Sequence, residues 1–307
     1  MRKTVFVLVV IALVFTASLG FSAYKIGYVV KTVTNPYFSF MGQAAKQEAD
    51  KLGVDLIFKS GKSDSDVAGQ ISIIEDMITQ KVDAIIVTPA NTPGIAPAVK
   101  AANRANIPII MVDTAGSGGQ IASFIATDNY LAGVMNGVYA ATVLLQGKGK
   151  IALLEGTPGA SVDDDRKNGF LHALEGYPEI TVVADQITHG DQSLAQSAMD
   201  NILTAHPDLN LVWTINEPAG FGAARSLQLH RIKGVGIVTM DGSKKGAEAV
   251  KNGEFSCDVM QFPAKMAQLA LKYAVDAIQG KSVPSRVDSG EALITPENAQ
   301  WGVQHGW

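Results

Sequence analysis

Five hydrogen-bonding side chains stand directly behind apolar runs: Thr88 after VDAIIV, Asp113 after IPIIMV, Asn216 after LNLVWTI, Asp241 after VGIVTM and Gln261 after DVM. A sixth run, IGYVV, is followed within a few residues by TNPYF, which brings Asn35 and two aromatics, Tyr37 and Phe38. Carboxylates and side-chain amides accept and donate hydrogen bonds toward hydroxyl groups, and a buried carboxylate makes the stronger, charge-assisted kind. Aromatic faces pack against the C–H side of a ring. A neutral, polyhydroxylated small molecule needs both elements at once. An anion would call for basic residues, and none of these positions supplies one. Taken singly, an Asp or Asn at such a point has a plainer use, capping the next helix or closing a turn. Asn35 fits a helix N-cap and Pro36 its first turn. The whole set together points to a polar cleft.

Other chemistry leaves little trace. The chain has no G-x-x-x-x-G-K-[ST], no G-x-G-x-x-G after its first apolar run and no G-x-S-x-G. EGTPGAS at 155–161 follows a strand-like run but lacks the lysine and glycine spacing of a phosphate loop, so it reads as a βα turn. The histidines at 172, 189, 206, 230 and 305 lack metal-ligand spacing, and only His189, in THGD, is placed to face a cleft. Three aspartates in SVDDDRKNGF lack the alternating ligands and distal Glu of a calcium loop and read as a solvated helix start. No metal and no cofactor is expected, and no enzymatic activity.

The elements that must position these residues alternate along the chain. Almost wholly apolar strand candidates (KIGYVV, VDLIFKS, VDAIIVTP, IPIIMVD, FIATD, then KIALLEG, ITVVADQ, LNLVWTIN, VGIVTMD, DVMQF) are separated by helical patterns such as YFSFMGQAAKQEADKLG and KMAQLALKYAVDAIQG. Buried strands each followed by a helix imply parallel sheets covered on both faces. Ten strands in two alike sets of five suggest an α/β protein of two similar doubly wound parallel-sheet lobes joined by a hinge near Asp128. A (β/α) barrel, with eight repeats, is the competing architecture. In open α/β sheets ligands bind at the carboxyl ends of the strands, where the six polar positions fall.

The N-terminus bears on compartment. Met1, Arg2 and Lys3 open a basic start, Thr4 to Phe21 is nearly unbroken apolar sequence, and Ser22 and Ala23 are small, the pattern of a cleaved signal peptide over residues 1–23. Phe21 is not the small residue usual three positions before a cut at Ala23. An uncleaved membrane anchor is the other reading, because the stretch approaches spanning length. The single cysteine, Cys257, stands far from the cut, so neither a lipid-modified N-terminus nor an intramolecular disulfide is expected. Without that segment, 23 basic residues face 29 acidic ones. No basic clustering suggests nucleic acid. The expected location is the periplasm.

In their order along the chain, TNPYFSFMGQAAKQEA, VDAIIVTPA, IPIIMVDT, IATDN, NGFLHAL, ILTAHPDLNLVWTINEPAGFGA, GIVTMDG and DVMQFPAKM give a chain that resembles the periplasmic sugar-binding proteins of ABC transporters, in the ribose-binding-like group, from Lys25 to about Glu291. The resemblance implies the type I periplasmic binding protein fold, a two-lobed clamp that closes on one monosaccharide and docks on a membrane permease. It implies sugar contacts at Asn35, Tyr37, Phe38, Asp113, Asn216, Asp241 and Gln261, and lobes spanning 24–127 plus 262–288 and 128–261 plus 289–307. The chain also departs from its ribose binders. Thr114 follows Asp113 where they carry an arginine, and Asp164, added to the candidate set, stands at another arginine position. Arg166 matches a basic position expected to face outward, and the loop at Gly190 lacks an aromatic. These departures point away from ribopyranose, and NEPAGFGA and VDT look more like fructose-type or sugar-alcohol-type branches. A sugar sensor for chemotaxis or signalling on the same fold is the alternative.

Overall fold

Apolar runs too short for helices pair as strands, and the amphipathic stretches between them cross over to keep those strands parallel. In the computed structural model, which describes residues 23–307, the first half supplies β1 (Lys25–Val30), α1 (Pro36–Leu52), β2 (Asp55–Ser60), α2 (Val67–Thr79), β3 (Ala84–Val87), α3 (Ala96–Arg104), β4 (Ile109–Val112) and β5 (Ser123–Ala126). Next come α4 (Asn129–Tyr139), β6 (Lys148–Glu155), α5 (Ser161–Leu174), β7 (Glu179–Ile187), α6 (Gln192–Ala205) and β8 (Leu211–Thr214). They are followed by α7 (Glu217–His230), β9 (Gly236–Asp241), α8 (Lys244–Lys251) and β10 (Cys257–Met260). Finally α9 (Pro263–Ile278), β11 (Arg286–Asp288), β12 (Ala292–Ile294) and α10 (Ala299–His305) shuttle between the halves.

Two six-stranded sheets result, in the orders β11-β5-β4-β3-β1-β2 and β12-β10-β9-β8-β6-β7. Every pairing is parallel except β10 with β12. The two lobes are therefore alike in topology, as the repeat of apolar runs implied, and each carries one strand more than the ten-strand reading. β11 and β12 have three residues each, too few for an apolar pattern to reveal. The strand order reverses at β1/β3 in one sheet and at β6/β8 in the other, and the crevice beside such a point is where α/β sheets hold ligands. The expected signal segment lies outside the described residues except for Ala23. Among the described residues no helix is long and apolar enough to cross a membrane.

Burial follows the strand period of two. In β3, Ala84 and Ile86 join Tyr28, Met41 and Leu271 on one face of the first sheet, while Ile85 and Val87 join Ile74, Met77 and Met111 on the other. The second lobe is centred on Trp213, stacked on Phe170 with ring centroids 5.4 Å apart. α4 and α5 meet backbone to backbone: a methyl group added at Gly133 would stand 2.2 Å from the Arg166 carbonyl oxygen, and one at Gly169 would stand 2.1 Å from that of Tyr130. This close seat fixes where α5 presents its first turn.

The chain passes between the sheets three times: after β5, after β10, and between β11 and β12. The three crossings lie side by side. Arg286 donates to the carbonyls of Ala126 and Thr127, Lys265 donates to that of Ser289, and the hydroxyls of Thr127 and Ser289 are 3.3 Å apart.

Candidate functional site between the lobes

Asn35 caps α1, its Oδ1 accepting from the Tyr37 N–H at 3.0 Å, and Pro36 follows at the first helical position. That cap turns Tyr37 and Phe38 off the carboxyl end of β1. Both rings belong to the first lobe's core and also line a narrow space between the lobes. They stand edge to face, centroids 5.2 Å apart. Asp113, directly after β4, sits at φ 65°, a conformation few non-glycine residues adopt but Asp tolerates, and its Oδ2 accepts from the Thr114 hydroxyl at 2.7 Å. Thr114 thus orients the carboxylate rather than offering a cationic fork.

From the second lobe, Asn216 caps α7 by accepting from the Ala219 N–H at 3.0 Å and donates to the Gly190 carbonyl at 3.3 Å. Asp241, the last residue of β9, has φ 146°, and Gly242 behind it has φ 73° with no room for a side chain against Met260. A non-glycine residue persists there because its surroundings over-determine it. The Asp241 carboxylate accepts from the Glu217 N–H at 3.2 Å and from the Gln261 amide at 3.0 Å. Gln261 also faces the Tyr37 hydroxyl at 3.5 Å. Asn35, Tyr37, Phe38, Asp113, Asn216, Asp241 and Gln261 all line the same space.

Asp164 does not. It is exposed on α5 and accepts from the Gly159 N–H. The reason is helical phase: residues three apart share a face, and the face turned inward carries Asp163 and Arg166. The outward placement expected for Arg166 is corrected likewise. It is 4% exposed, donates from Nε to Asn129 at 2.9 Å and from Nη1 to the Ile215 carbonyl at 3.0 Å, and lines the space. Asp163 accepts from the Thr157 N–H at 2.7 Å, so the aspartate run is partly a cleft feature rather than only a solvated start. His189 lines the space as its THGD setting suggested, with Nδ1 3.2 Å from the Thr157 hydroxyl. Thr88 does not line it; its hydroxyl is buried without a partner.

Two further charged lining residues, Lys31 and Asp64, escaped the sequence reading. Lys31 is the residue directly behind β1, so the strand-end rule that picked Asp113 picks it too. Asp64 sits in the loop before α2 and carried no such signal.

The electrostatics are dominated by carboxyls. Burial pushes Asp64 up to about 6, with Lys31 opposing and the Asp163, Asp113 and Asp191 carboxylates adding to the rise. Burial raises Asp163 as well, against Lys31, the Thr157 N–H and Arg166. Asp241 is pushed well up by burial and by Glu217, with Arg166 opposing. Burial also lifts the Tyr37 phenol, aided by Asp113. Behind Asp241, Glu217 and Asp258 face each other: burial and the Glu217 carboxylate push Asp258 well up, and burial raises Glu217, which accepts from the N–H and hydroxyl of Ser243. Among the described residues no group of three or more His, Cys, Asp or Glu could hold a metal ion. The arrangement offers fixed acceptors, one guanidinium, one ammonium and an aromatic wall.

On one rim of the cleft the lobes touch directly. The Thr92 N–H donates to the Gly159 carbonyl at 2.9 Å, the Ser161 N–H to the Thr92 hydroxyl at 3.0 Å, and the Ala115 N–H to the Ser161 hydroxyl at 2.9 Å.

Comparison with known proteins agrees with this geometry. Residues 26–282 match the family described as periplasmic binding protein domain. The ribose import binding protein of Bacillus subtilis is 32% identical over 273 residues, covering 89% of this chain and 87% of that protein. A xylitol-binding protein of Mycolicibacterium smegmatis is 30% identical, covering 82% of this chain and 72% of that one. An ABC transporter periplasmic solute binding protein from Actinobacillus succinogenes, solved with bound D-allose, superposes with a TM-score of 0.84 at 30% identity over 90% of this chain and 99% of its own. A strand order shared by two lobes, a polar crevice between their switch points and these matches converge: the chain belongs to the periplasmic binding protein family, in its ribose-binding group of sugar receptors that are not enzymes.

Proposed function

We propose that the protein takes up one monosaccharide or sugar alcohol of the ribose, fructose or xylitol class in the periplasm and presents it to an ABC transporter permease. The observation that carries this reading is the pair Asp113 and Asp241, contributed by opposite lobes to one space walled by Tyr37 and Phe38. Two carboxylates, one from each half, reward closure on hydroxyls that neither lobe could satisfy alone. The relatives named for ribose and xylitol and the D-allose-bound structure support the same ligand class.

The space measures about 30 Å³, so a sugar enters between parted lobes, and binding draws the equilibrium toward the closed form. Residues 24–127 with 262–288 move as one body and 128–261 with 289–307 as the other, hinged at the three crossings. Arg166 supplies one guanidinium to the cleft, while Thr114 stands against Asp113 where the ribose binders carry an arginine, so the ligand should differ from ribopyranose in the hydroxyls that face the Asp113 side. Titration calorimetry with D-ribose, D-allose, D-fructose and xylitol tests the reading. One tight partner is expected, weakened by Asp113→Asn; heat from none of the four would overturn it.

A further inference from the structure

The segment after α10 leaves the second lobe and lays Trp307 across the mouth of the cleft. Its attachment to the second lobe is polar. The indole Nε1 donates to the Asp241 carbonyl at 2.8 Å, and the Trp307 carbonyl accepts from the Lys244 N–H at 3.1 Å. Its attachment to the first lobe is aromatic. The indole stands 5.5 Å from the Tyr37 ring at 79° and 5.5 Å from the Phe40 ring at 39°. α10 is packed on α8, so the segment travels with the second lobe.

We infer that Trp307 is a positioning residue and interlobe strap: it holds Asp241 in its ligand-facing conformation and favours the closed clamp through Tyr37 and Phe40. This rests on the sugar-receptor reading. Asp241 is held at φ 146°, which needs external support. Its carbonyl oxygen receives two donors, the Gln261 N–H at 2.9 Å and the indole N–H at 2.8 Å, so both lone pairs are used. Parting the lobes must either pull the indole off Tyr37 and Phe40 or break its bond to Asp241. Aromatic pairs of this geometry contribute beyond their buried area, and one hydrogen bond adds a comparable amount. Trp307 also lines an open chamber of about 560 Å³ outside the narrow space, bounded by Asn35, Asp64 and Gly190 that line both.

Trp307→Phe keeps a ring and removes the N–H; Trp307→Ala removes both. Release of the tightest binder among D-ribose, D-allose, D-fructose and xylitol would be followed by stopped flow, beside small-angle scattering of the ligand-free protein and its melting temperature. Release is expected to quicken about five-fold in Trp307→Phe, the size of one hydrogen bond, and more in Trp307→Ala. Scattering of Trp307→Ala should give a larger radius of gyration than wild type. Unchanged release and radius in both variants would overturn the strap, as would a lowered melting temperature with release unaltered. If wild-type protein binds none of the four, the receptor reading falls and scattering alone decides: an unchanged radius in Trp307→Ala then overturns the strap, and an enlarged one upholds it.

Discussion

Gln261 grips Asp241 twice, its backbone N–H on the carbonyl at 2.9 Å and its side-chain amide on Oδ1 at 3.0 Å. Because Gln261 is the first residue past β10, where the chain crosses between lobes, the cleft-facing carboxylate of the second lobe is tied to a crossing strand. Replacing the amide with an isosteric hydrocarbon leaves a buried acceptor short of a donor, at about 1–3 kcal/mol. Gln261→Leu should therefore weaken sugar binding roughly ten-fold or more by calorimetry. Gln261→Glu, which places a second carboxyl against Asp241, should weaken it further at pH 7 than at pH 5.

Tyr37 and Phe38 hold two places at once, in the first lobe's core and on the cleft wall. Phe38→Ala would consequently remove core volume as well as wall, at a typical cost to stability of about 3–5 kcal/mol for a buried phenylalanine. Phe38→Leu separates the roles, since it fills most of the volume without a flat face. It should cost affinity about ten-fold while the melting temperature falls by only a few degrees.

The pH dependence follows from Asp64. Its carboxyl is raised from 3.8 to about 6 in the closed form. A carboxyl raised this way penalises the closed form fully above pH 6, and the penalty is relieved as pH falls through 6 toward 3.8. Affinity should rise several-fold between pH 7 and pH 5. Asp163 and Asp241 are shifted the same way, so Asp64→Asn should shrink the slope without removing it. A wild-type affinity that is flat or falls over that range would contradict the assignment.

At Gly133 the usual rule for helices is reversed. Alanine in place of an exposed helical glycine stabilises by about 1 kcal/mol, but here the methyl would meet the Arg166 carbonyl oxygen at 2.2 Å. Gly133→Ala should push α5 off α4 and carry Arg166 with it. Both the melting temperature and the affinity should fall, whereas Gly176→Ala, with open space around the added methyl, should leave binding unchanged.

What the residues announced in advance was whatever hangs on a periodic element. Asp113, Asn216, Asp241 and Gln261 are the first polar residues behind buried runs, and a strand of any length delivers its next residue to the same sheet edge. Lys31 obeys that rule too, as the residue directly behind β1, although the helix-start signal TNPYF lies just beyond it. Asp164 was misplaced because a matched position says nothing of helical phase, and one residue either way turns a side chain by about 100°. Asp64 and Trp307 come from loops, whose paths are set by tertiary packing rather than by local pattern. β11 and β12 were missed because three residues are too few to show an alternation.

Three chain crossings knitted together by Arg286, Lys265, Thr127 and Ser289 have a mechanical result. A single crossing would act as a swivel and two as a flexible pair of ribbons, but three abreast leave one axis of swing and resist shear and twist. On the proposed hinge, the rim atoms of Thr92 on one side and of Gly159 and Ser161 on the other would meet at each closure. A macromolecule that touches only the outer faces of the two lobes can then tell loaded from empty by a single dimension, the gap between them.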